Sequence, residues 1–523
     1  MKKYDCIIIG AGHNGLVCGN YLSKAGLKVL ILESTDSLGG VASTREVFEG
    51  YKISECAHIV NGFSEKVFSN LKLEQFGLSY AVKDIQTTSL SENGNHLTLP
   101  SNSSELISSF IEDGKALSIL EKKLLRFAKS LSSINYAEPP RIKSGKIQDI
   151  LAWAKLGLSI RSMGKSRMRE FMRFFGLNIA DELEENLTNS MLKGAIAHDA
   201  VLGSNLGPRS PGSLLLLILK LSISQSSSIF GNFSLPKGGI GSISKALYQS
   251  GISSGCEFRM NTIVKRILIK NNKAHGIVTN DGEEILGDII VSNCDPKSTF
   301  FCLVGSHNLD TDFIRRVKNY RMKGNVSNIN LALRTLPTIN ADSKIFSTRM
   351  LIAPNIDYIE EAFNHSKYGR LSDNLTIELI CPTAFDKSLA PKGHQILSFN
   401  VQYTPYSQEN KEAYDKKLLK NFFNLISKFM PDIQEKIIVK QVLSPATIER
   451  EYGLSGGQWH HGELEMDQMF LLRPVSGATQ YSTPIEKLYL CGAGTHPGGG
   501  VTGICGHNAA NKIKKDIKNG FKK

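Results

Sequence analysis

The sequence has no uninterrupted apolar run long enough to cross a membrane. The longest such run, residues 214–219, has only six residues, whereas a transmembrane helix needs about 20. Near the start of the chain, the apolar residues 6–9 are interrupted by Gly10 and Gly12, so they do not form the core of a signal peptide, and no arginine-rich transit segment precedes them. We expect an intracellular protein, either cytoplasmic or peripheral to a membrane, or in the mitochondrial matrix if the source is eukaryotic.

Paired cysteines are also missing. The nine cysteines include no C-x-x-C pair and no zinc-like grouping with histidine. This pattern excludes a dithiol redox centre and predicts no metal site. We expect most of the cysteines to be reduced and buried.

Acidic residues are fewer than basic ones. The chain has 62 Lys and Arg against 49 Asp and Glu, a formal net charge of +13, which favours anionic surfaces such as phospholipid headgroups. No recognised nucleic-acid-binding module accompanies this charge, so no nucleic-acid partner is predicted. A length of 523 residues predicts two domains, since a single core rarely grows to that size.

What the sequence does have is a complete strand, turn, helix and strand unit at its beginning. Residues 4–9 form a short apolar run, typical of a buried parallel strand, and are followed at once by Gly10, Gly12 and Gly15 in the spacing G-x-G-x-x-G. A helical pattern then leads to a second apolar run that ends on Glu33. This order predicts a Rossmann unit that binds a dinucleotide.

Each residue type in this unit has a physical role. Gly10 permits the tight turn, Gly12 lets the backbone approach a pyrophosphate, and the helix start offers free N–H groups to the phosphates. Glu33 can accept hydrogen bonds from ribose hydroxyls. Gly39 and Gly40 follow shortly after, where many flavoproteins carry a second glycine pair near the pyrophosphate and the flavin.

Two later segments look as though they return to the same domain. Residues 236–241 form a glycine-rich turn before a predicted helix at 242–249, and strands are predicted at 258–269, 274–279 and 288–292. Near the end of the chain, a buried strand runs into Gly492 and Gly494, and three glycines at 498–500 precede a helix predicted at 504–518. Glycines before a helix let the backbone lie against a planar or anionic group.

Together these motifs resemble those of the phytoene desaturase-like FAD oxidoreductases, a family that includes carotenoid desaturases, carotenoid isomerases and retinol saturase. The motifs are Gly10-x-Gly12-x-x-Gly15 with Glu33, Pro236-x-Gly-Gly-x-Gly241, Val291-Ser-Asn-Cys-Asp-Pro296 and residues 491–503. Residues 456–462 and 467–474 further resemble the branch called pyridine nucleotide-disulphide oxidoreductase domain-containing protein 2. The resemblance covers nearly the whole chain.

The resemblance implies FAD as the cofactor. It implies that Gly10, Gly12, Gly15 and Glu33 hold the ADP moiety and that the backbone of Val264 meets the adenine. It also implies that the ribityl chain and flavin ring are approached by residues of the last segment, namely Gly492, Gly494, Gly499, Gly500, Val501, Thr502 and Gly503. No second strand-linked glycine motif is present, so tight NAD(P)H binding beside FAD is not expected.

The fold class predicted from these segments is α/β. A Rossmann-type FAD-binding domain is built from discontinuous segments and is interleaved with an α+β substrate domain of mixed sheet and helices. The FAD-binding domain takes residues 1–75, 231–300 and 466–523, and the substrate domain takes residues 76–230 and 301–465.

Two segments of the predicted substrate domain have marked patterns. Residues 117–131 place five apolar side chains on one helix face, which indicates a packing stripe. Residues 141–173 contain nine Lys or Arg against two acids, interleaved with apolar residues. Such a stretch either lies in a membrane interface or forms a solvated helix packed on its own core, and the second arrangement is the commoner one.

Several histidines could reach a reaction site, but none is assigned as a general base. His460 and His461 lie in a glycine-flanked loop, and His58 and the pair His198 and Asp199 are further candidates. Structural roles are expected for these histidines. His496 is expected near the cofactor.

The family chemistry implies dehydrogenation of a lipophilic or unsaturated small molecule, with hydride transfer to flavin N5. Oxygen or a membrane quinone would then reoxidise the flavin. Three alternatives stay open. They are a redox-neutral isomerase or a saturase that uses reduced flavin, an amine-oxidase-like enzyme, and an FAD-stabilised interaction protein with little turnover.

Overall fold

The computed structural model describes residues 3–108, 113–141, 147–162, 164–407 and 411–521. The strands are β1 (Lys3–Ile9), β2 (Val29–Leu32), β3 (Thr44–Phe48), β4 (Tyr51–Ser54), β5 (Val60–Asn61), β6 (Tyr80–Val82), β7 (Thr87–Ser89), β8 (Leu97–Leu99), β9 (Phe233–Pro236), β10 (Glu257–Arg259), β11 (Val264–Lys270), β12 (Lys273–Thr279), β13 (Glu284–Ser292), β14 (Val326–Leu333), β15 (Arg349–Ile352), β16 (Thr376–Ile380), β17 (Gln395–Gln402), β18 (Ile437–Leu443) and β19 (Leu488–Leu490).

The helices are α1 (His13–Ser23), α2 (Glu65–Asn70), α3 (Ser103–Ser108), α4 (Gly114–Asn135), α5 (Ile147–Arg161), α6 (Lys165–Gly176), α7 (Ile179–Asn186), α8 (Ser190–Val201), α9 (Ser213–Ser224), α10 (Gly241–Ser253), α11 (Thr311–Asn319), α12 (Ile356–Lys367), α13 (Lys411–Phe429), α14 (Ile433–Lys436), α15 (Pro445–Tyr452) and α16 (Ile504–Lys518). None of these helices is long and apolar enough to cross a bilayer, as far as the described residues go.

The first sheet is assembled from distant parts of the chain. Its strands follow the order β10-β2-β1-β13-β12-β11, and β19 pairs with the carboxyl-terminal end of β13. The pairs among β10, β2, β1, β13 and β19 are parallel. Both faces of β1 and β2 are buried, because alternate side chains enter two different apolar clusters. This explains the continuous apolar runs of these strands and confirms the predicted α/β class with a discontinuous Rossmann-type unit.

One predicted strand of this sheet is wrong in its extent. Residues 258–269 form two strands, β10 and β11, and the chain bends between them. Asn261 adopts a left-handed conformation (φ 51°), and its N–H donates to the carbonyl of Thr35 at 3.0 Å. The next amide, of Thr262, donates to the carbonyl of Glu33 at 2.7 Å. Asparagine tolerates this conformation better than most residues, so the bend interrupts an otherwise strand-like apolar pattern.

The second sheet is mixed, as predicted for the substrate domain. Its order is β18-β14-β17-β16-β15-β7-β8, and β15 and β7 are parallel whereas the other neighbours are antiparallel. Helices α8 and α12 contact this sheet, and α4 packs on α9, where its stripe of Leu117, Leu120, Leu124, Phe127 and Leu131 is buried. The predicted packing stripe is therefore confirmed.

The chain crosses between the two units several times. Residues 300–322, most of which the predicted division gives to the substrate domain, contribute Phe300, Phe313 and Tyr320 to the cluster beneath the first sheet. This packing favours a boundary near residue 322 in place of 300. The rest of the division into 1–75, 76–230, 231–300, 301–465 and 466–523 stays a prediction.

The basic stretch at 141–173 lies only partly within the described residues. Residues 142–146 and 163 lie outside them, and the remainder forms α5 and α6. The prediction for the cysteines is confirmed, since all nine are free and seven are buried.

Candidate functional site

Two adjoining hollows lie beyond the carboxyl ends of β1, β2 and β13, and the second of them reaches β15, β16 and β17. The first, called here the outer cleft, has a volume of about 160 Å³ and follows the turn after β1. The second, the inner cavity, has a volume of about 220 Å³ and lies between α9 and the start of α16. Both are lined by His13, Val41, Trp459 and Ala493, so a long ligand can extend from one into the other.

Five predicted site residues line the outer cleft, namely Gly10, Gly12, Glu33, Gly39 and Gly40. The turn is tight because Gly10 has a φ of 98°, a conformation that side chains disfavour. A Cβ on Gly12 would lie 2.6 Å from Nδ2 of Asn293. The N–H of Gly39 donates to the carbonyl of Ala11 at 3.0 Å, which ties the second glycine pair to the first turn.

Helix α1 begins at the outer cleft with free amides. Its N-cap, Gly12, offers no side chain to cap the helix, and the first turn carries no acidic residue. Four backbone N–H groups at a helix start lack intrahelical partners. The positive end of the helix dipole therefore points at the cleft and favours an anion there.

Glu33 directly follows β2, and it lines the outer cleft. Its Oε2 accepts a hydrogen bond from the N–H of Ala11 at 2.8 Å, and its Oε1 accepts from the N–H of Thr35 at 3.1 Å. The side chain is 9% exposed. A carboxylate held in this way can accept further hydrogen bonds from hydroxyl groups, since each oxygen has two lone pairs.

The other predicted site residues line the inner cavity, pack behind the hollows or lie apart from both. Gly499, Gly500, Val501 and Thr502 line the inner cavity. Gly15, Gly492 and Gly494 permit close packing, because an added Cβ would lie 2.3 Å from Gly10 O, 2.7 Å from Asn293 O and 2.8 Å from Pro296 Cδ respectively. Gly503 is the N-cap of α16. Val264 opens β11 and lines neither hollow.

The wall of the inner cavity is mostly apolar. Helix α9 supplies five apolar side chains, and Ile229, Phe233 and Leu464 continue the surface. The side chains from α9 are Leu216, Leu217, Leu219, Leu221 and Ile223. An apolar ligand that fills this cavity is stabilised there, because it and these side chains are then kept away from water.

One end of the inner cavity is charged, and the sequence did not indicate it. Arg349 lies 1% exposed between two carboxylates. Its Nε donates to Oε2 of Glu378 at 2.6 Å and its Nη1 to Oδ2 of Asp199 at 3.1 Å. Burial by itself raises the pKa of both carboxyl groups, but the guanidinium holds both pKa values below their usual range.

Lys220, on α9, completes this charged end. Its ammonium donates to the carbonyls of Leu202 at 2.8 Å and Asp199 at 2.9 Å. Burial lowers the pKa of Lys220 to about 8, against the opposing effect of the Asp199 and Glu378 carboxylates. The charged side chains that line the inner cavity, Arg349, Lys220, Asp199 and Glu378, therefore sum to zero net charge when all are ionised.

Arg349, Glu378, Asn400 and Lys220 line the inner cavity but were not among the predicted candidates. The sequence does contain a signal for Glu378, because this residue interrupts the apolar strand pattern of residues 376–380. A carboxylate buried in a strand needs a charged or hydrogen-bonding partner. The partner could not be named from sequence because it lies 29 residues away on another strand.

The structure divides the candidate histidines. His58 and His460 line the inner cavity and His461 lines the outer cleft, whereas His198 and His496 line neither. His496 is fully buried, and its Nε2 lies 3.0 Å from the carbonyl oxygen of Ile134; its expected place near the cofactor stays a prediction. Its neighbour Pro497 does line the inner cavity.

His460 has an unusually close fit. An added Cβ on Gly499 would lie 1.8 Å from Nδ1 of His460, and one on Gly203 would lie 2.7 Å from its Nε2. The imidazole is thus held between two glycines. Burial, with Lys220 and Arg473 nearby, lowers the pKa of His460 well below its usual range, so the ring is uncharged at neutral pH.

Comparison with known sequences identifies the kind of protein that has this site. The sequence model described as flavin containing amine oxidoreductase matches residues 15–506. The pyridine nucleotide-disulfide oxidoreductase domain-containing protein 2 of Rattus norvegicus is 28% identical over 99% of this chain and 94% of its own length. A limonene dehydrogenase component of Castellaniella defragrans is 24% identical over 99% and 95%. The chloroplastic prolycopene isomerase of Daucus carota is 25% identical over 99% and 81%.

Solved structures agree on the fold. An oxidoreductase from Methanosarcina mazei matches with a TM-score of 0.62 at 17% identity, covering 98% of this chain and 100% of its own. Cyclohexylamine oxidase from Brevibacterium oxydans matches with a TM-score of 0.59 at 16% identity, covering 99% and 100%. The resemblance to the phytoene desaturase-like enzymes and the prediction of FAD as cofactor are confirmed. The chain belongs to the family of flavin-containing amine oxidoreductases and is an FAD-dependent oxidoreductase.

Proposed function

We propose that this enzyme removes two hydrogens from an uncharged, lipophilic small molecule and so introduces a double bond. The observation that carries the proposal is the inner cavity, whose apolar wall from α9 faces the glycine-rich residues 499–502. Binding sites for small molecules are mostly apolar with a few polar groups that fix orientation. An apolar molecule seated here lies next to the segment that we assign to the flavin.

The assignment of FAD to the two hollows is part of the proposal. Gly10, Gly12 and Gly15 hold the pyrophosphate at α1, Glu33 binds the ribose, and Gly39 and Gly40 adjoin the pyrophosphate. Val264 meets the adenine, and the segment with Gly492, Gly494, Gly499, Gly500, Val501, Thr502 and Gly503 lies along the ribityl chain and flavin ring.

Two observations support this fit. The start of α1 at the outer cleft has no side-chain cap, and Nε2 of His13, a residue shared by both hollows, is buried without a hydrogen-bond partner among the described residues. When bound, FAD would accept a hydride at its N5 atom. This chain's own residues orient the substrate and exclude water.

The charge balance of the inner cavity supports a neutral substrate. Arg349 and Lys220 are offset by Asp199 and Glu378, so the cavity offers no excess charge to attract an ammonium or a carboxylate group. An amine-oxidase-like reaction on a polar amine is therefore the weaker candidate. The similarity of fold to cyclohexylamine oxidase does not change this, because the fold by itself does not fix the substrate.

We also propose that the enzyme docks on a membrane surface through α5 and α6. Ile147, Ile150, Leu151 and Leu158 on α5 are 58–74% exposed, and α6 carries basic residues on its exposed face. Phe175 of α6 packs in the cluster that contains Leu216 and Leu219 of the cavity wall. Apolar side chains beside basic ones fit an anionic lipid interface, from which a lipophilic substrate enters. An intracellular location at a membrane belongs to this proposal.

Vesicle sedimentation tests the docking surface. We expect the holoprotein to sediment with phosphatidylserine-containing vesicles more than with purely zwitterionic ones, and Leu151→Asp with Leu158→Asp to abolish the binding. Ile252→Asp is the matched control, since Ile252 is 47% exposed on α10. Equal sedimentation of all three proteins would contradict the proposal.

Anaerobic flavin reduction tests the reaction. The purified holoprotein is mixed separately with polyenes, unsaturated lipids and amines while the absorbance of the oxidised flavin is followed. We expect one of the lipophilic classes to bleach the flavin, and subsequent addition of oxygen or of a quinone to identify the acceptor. Bleaching by amines alone, with hydrogen peroxide released in air, would favour the amine-oxidase alternative.

The remaining alternatives give distinct outcomes in the same experiment. Conversion of a polyene without net electron consumption indicates an isomerase, and conversion only by pre-reduced flavin indicates a saturase. A flavin that no candidate reduces or uses indicates an interaction protein in which the cofactor is structural.

A further inference from the structure

Two histidines that line the outer cleft have a buried ring nitrogen without a hydrogen-bond partner among the described residues. His13 is the first residue of α1, is 8% exposed and lines both hollows, and its unpaired atom is Nε2. His461 lines the outer cleft, and its unpaired atom is Nδ1. A buried polar atom without a partner costs free energy, so such atoms at a cleft indicate contact with a ligand.

The two rings are uncharged at neutral pH when no ligand is near them. Burial, with a smaller contribution from the nearby ring of His461, lowers the pKa of His13 to about 4, although the backbone of Gly500 acts in the opposite direction. Burial also lowers the pKa of His461 to about 4, while Asp295 opposes this change and Arg473 adds to it. Because two charged rings would repel each other, the pair takes up one proton more readily than two.

The lining of the outer cleft has an excess of negative charge. Its charged side chains are three carboxylates and one guanidinium, namely those of Glu33, Asp295, Glu451 and Arg45. The guanidinium is already paired, since Nε of Arg45 donates to Oε2 of the buried Glu55. The start of α1 adds only a partial positive charge, about half of an elementary charge. The pyrophosphate of FAD is a dianion, so these groups leave much of its charge unbalanced.

Resting on the assignment of FAD to the two hollows in the function proposed above, we propose that the pair of His13 and His461 takes up one proton from solvent when FAD binds and that the charged pair helps to hold the pyrophosphate. His13 directly follows Gly12, the N-cap of α1, so its ring begins where the helix dipole already favours an anion. A charged imidazole carries a hydrogen on both nitrogens. The unpaired nitrogens then become donors for the oxygens of FAD.

A nearby anion reverses the effect of burial on these rings. An opposite charge within about 4–6 Å moves a pKa by about 1–3 in the direction that favours the charged form, so the pair is partly charged near neutral pH when FAD is bound. In that pH range the FAD-bound protein carries more protons than the free protein. FAD binding therefore becomes stronger as the pH falls from about 8 to about 6.

The other titratable groups at the outer cleft do not change charge in this pH range. Burial raises the pKa of Cys294 to about 12 and raises that of Tyr452 well above its usual range. Burial lowers the pKa of His460, the neighbour of His461, well below its usual range.

The titratable groups of the inner cavity are distinguished from the pair by mutation. Lys220, with a pKa of about 8, lines the inner cavity and not the outer cleft. Its contribution to any pH dependence persists when His13 is replaced. The same holds for the remaining titratable groups of the inner cavity, namely Cys56, His58, Asp199, Arg349 and Glu378.

Dilution of the holoprotein measures the coupling between FAD and protons. Released FAD is separated by ultrafiltration and quantified by fluorescence, which gives Kd at pH 6, 7 and 8. We expect the Kd of the wild type to rise about five- to tenfold from pH 6 to pH 8. Equal Kd values at the two ends of this range would overturn the proposal.

His13→Gln tests the pair itself, because glutamine forms hydrogen bonds but does not take up a proton. We expect weaker FAD binding at pH 6 than in the wild type and a Kd that is nearly independent of pH. His365→Gln, which changes an exposed histidine on α12, is the matched control and is expected to keep the pH dependence of the wild type. A wild-type pH dependence in His13→Gln would assign the proton to another group and overturn the proposal.

Nitrogen NMR of holoprotein labelled in its histidines reads the charge of the two rings directly. With His13→Gln and His461→Gln to assign the signals, we expect a charged imidazole within the pair at pH 6 and loss of this charge towards pH 8. Two rings that stay neutral over the whole range would overturn the proposal.

The outcomes also separate this inference from the proposed function. An FAD affinity that Glu33→Gln leaves unchanged would contradict the assignment of FAD to the outer cleft, and this inference would fall with it. An affinity that depends on Glu33 but not on pH keeps the assignment and overturns only the role of the histidine pair. None of these measurements depends on whether a lipophilic substrate reduces the flavin.

Discussion

At the scale of single residues, the buried ion pairs at the charged end of the inner cavity depend on Arg349. Replacing it with methionine leaves Asp199 and Glu378 buried without this cation. Removing one partner of a buried ion pair typically costs about 3–5 kcal/mol. We expect Arg349→Met to lower the free energy of unfolding by that amount in urea titrations.

A matched control separates burial from the loss of an arginine. Arg209 pairs with Glu184 and Asp357 but is 39% exposed, and exposed pairs contribute less than about 1 kcal/mol. Arg209→Met is therefore expected to change the unfolding free energy only slightly. Similar losses in both variants would show that the cluster at Arg349 is not a buried network.

Glu33 is the residue through which the proposed cofactor site can be tested. Charge-assisted hydrogen bonds to ribose hydroxyls contribute about 1.5–3 kcal/mol, which corresponds to about 10- to 100-fold in affinity. We expect Glu33→Gln to weaken FAD binding by this factor in titrations of the apoprotein followed by flavin fluorescence. Asp36→Asn, an exposed acid in the same loop, is the control, and equal affinities of the two variants would contradict the assignment.

At the scale of elements, α9 forms one wall of the inner cavity. Ile223 is half-buried and lines the cavity, so Ile223→Trp adds bulk to empty space. We expect the rate of flavin reduction by the lipophilic substrate to fall at least about tenfold, with little change in Tm, because overpacking is costly only where no space exists. Ile252→Trp on α10 is the matched control. Unchanged reduction by Ile223→Trp would place the substrate elsewhere.

Two elements show where a local sequence pattern is enough to predict the bounds of a helix or strand and where it is not. Helix α16 covers the predicted residues 504–518 because three glycines mark its start and an apolar stripe its length. The strand predicted at 258–269 is divided because Asn261 and Thr262 donate their amides to the chain after β2. Those acceptors lie more than 200 residues away in sequence, so no local pattern announces the bend.

At the scale of the whole molecule, buried histidines determine the response to acid. Burial lowers the pKa of His13, His461 and His496 to about 4, whereas histidine in an unfolded chain titrates near 6.5. Between these values the unfolded state binds more protons than the folded state, so stability increases with pH. We expect the free energy of unfolding to fall by several kcal/mol between about pH 6.5 and pH 4.

Urea unfolding of the holoprotein at a series of pH values measures this slope. His496→Gln removes one of the three groups and is expected to reduce the slope, while the exposed His365→Gln leaves it unchanged. The depressed pKa values of Asp199 and Glu378 add a further loss below about pH 4, because in the unfolded chain these carboxyl groups bind protons at a higher pH than they do in the folded protein. A stability that is constant from pH 7 to pH 4 would contradict the burial of these histidines.

The sequence by itself determined the fold class, the cofactor and the turn that carries Gly10, Gly12 and Gly15. These features depend on neighbouring residues, since a glycine turn, an apolar run and a helix start are all set by contacts over a few positions. Only the tertiary structure decided which polar side chains meet in the inner cavity. His58, Arg349 and Glu378 come from three separate segments, with His58 and Glu378 320 positions apart. Arg349 and Glu378 meet because β15 and β16 are neighbours in the second sheet, and His58 reaches Glu378 from the chain before β5; no short-range pattern specifies either contact.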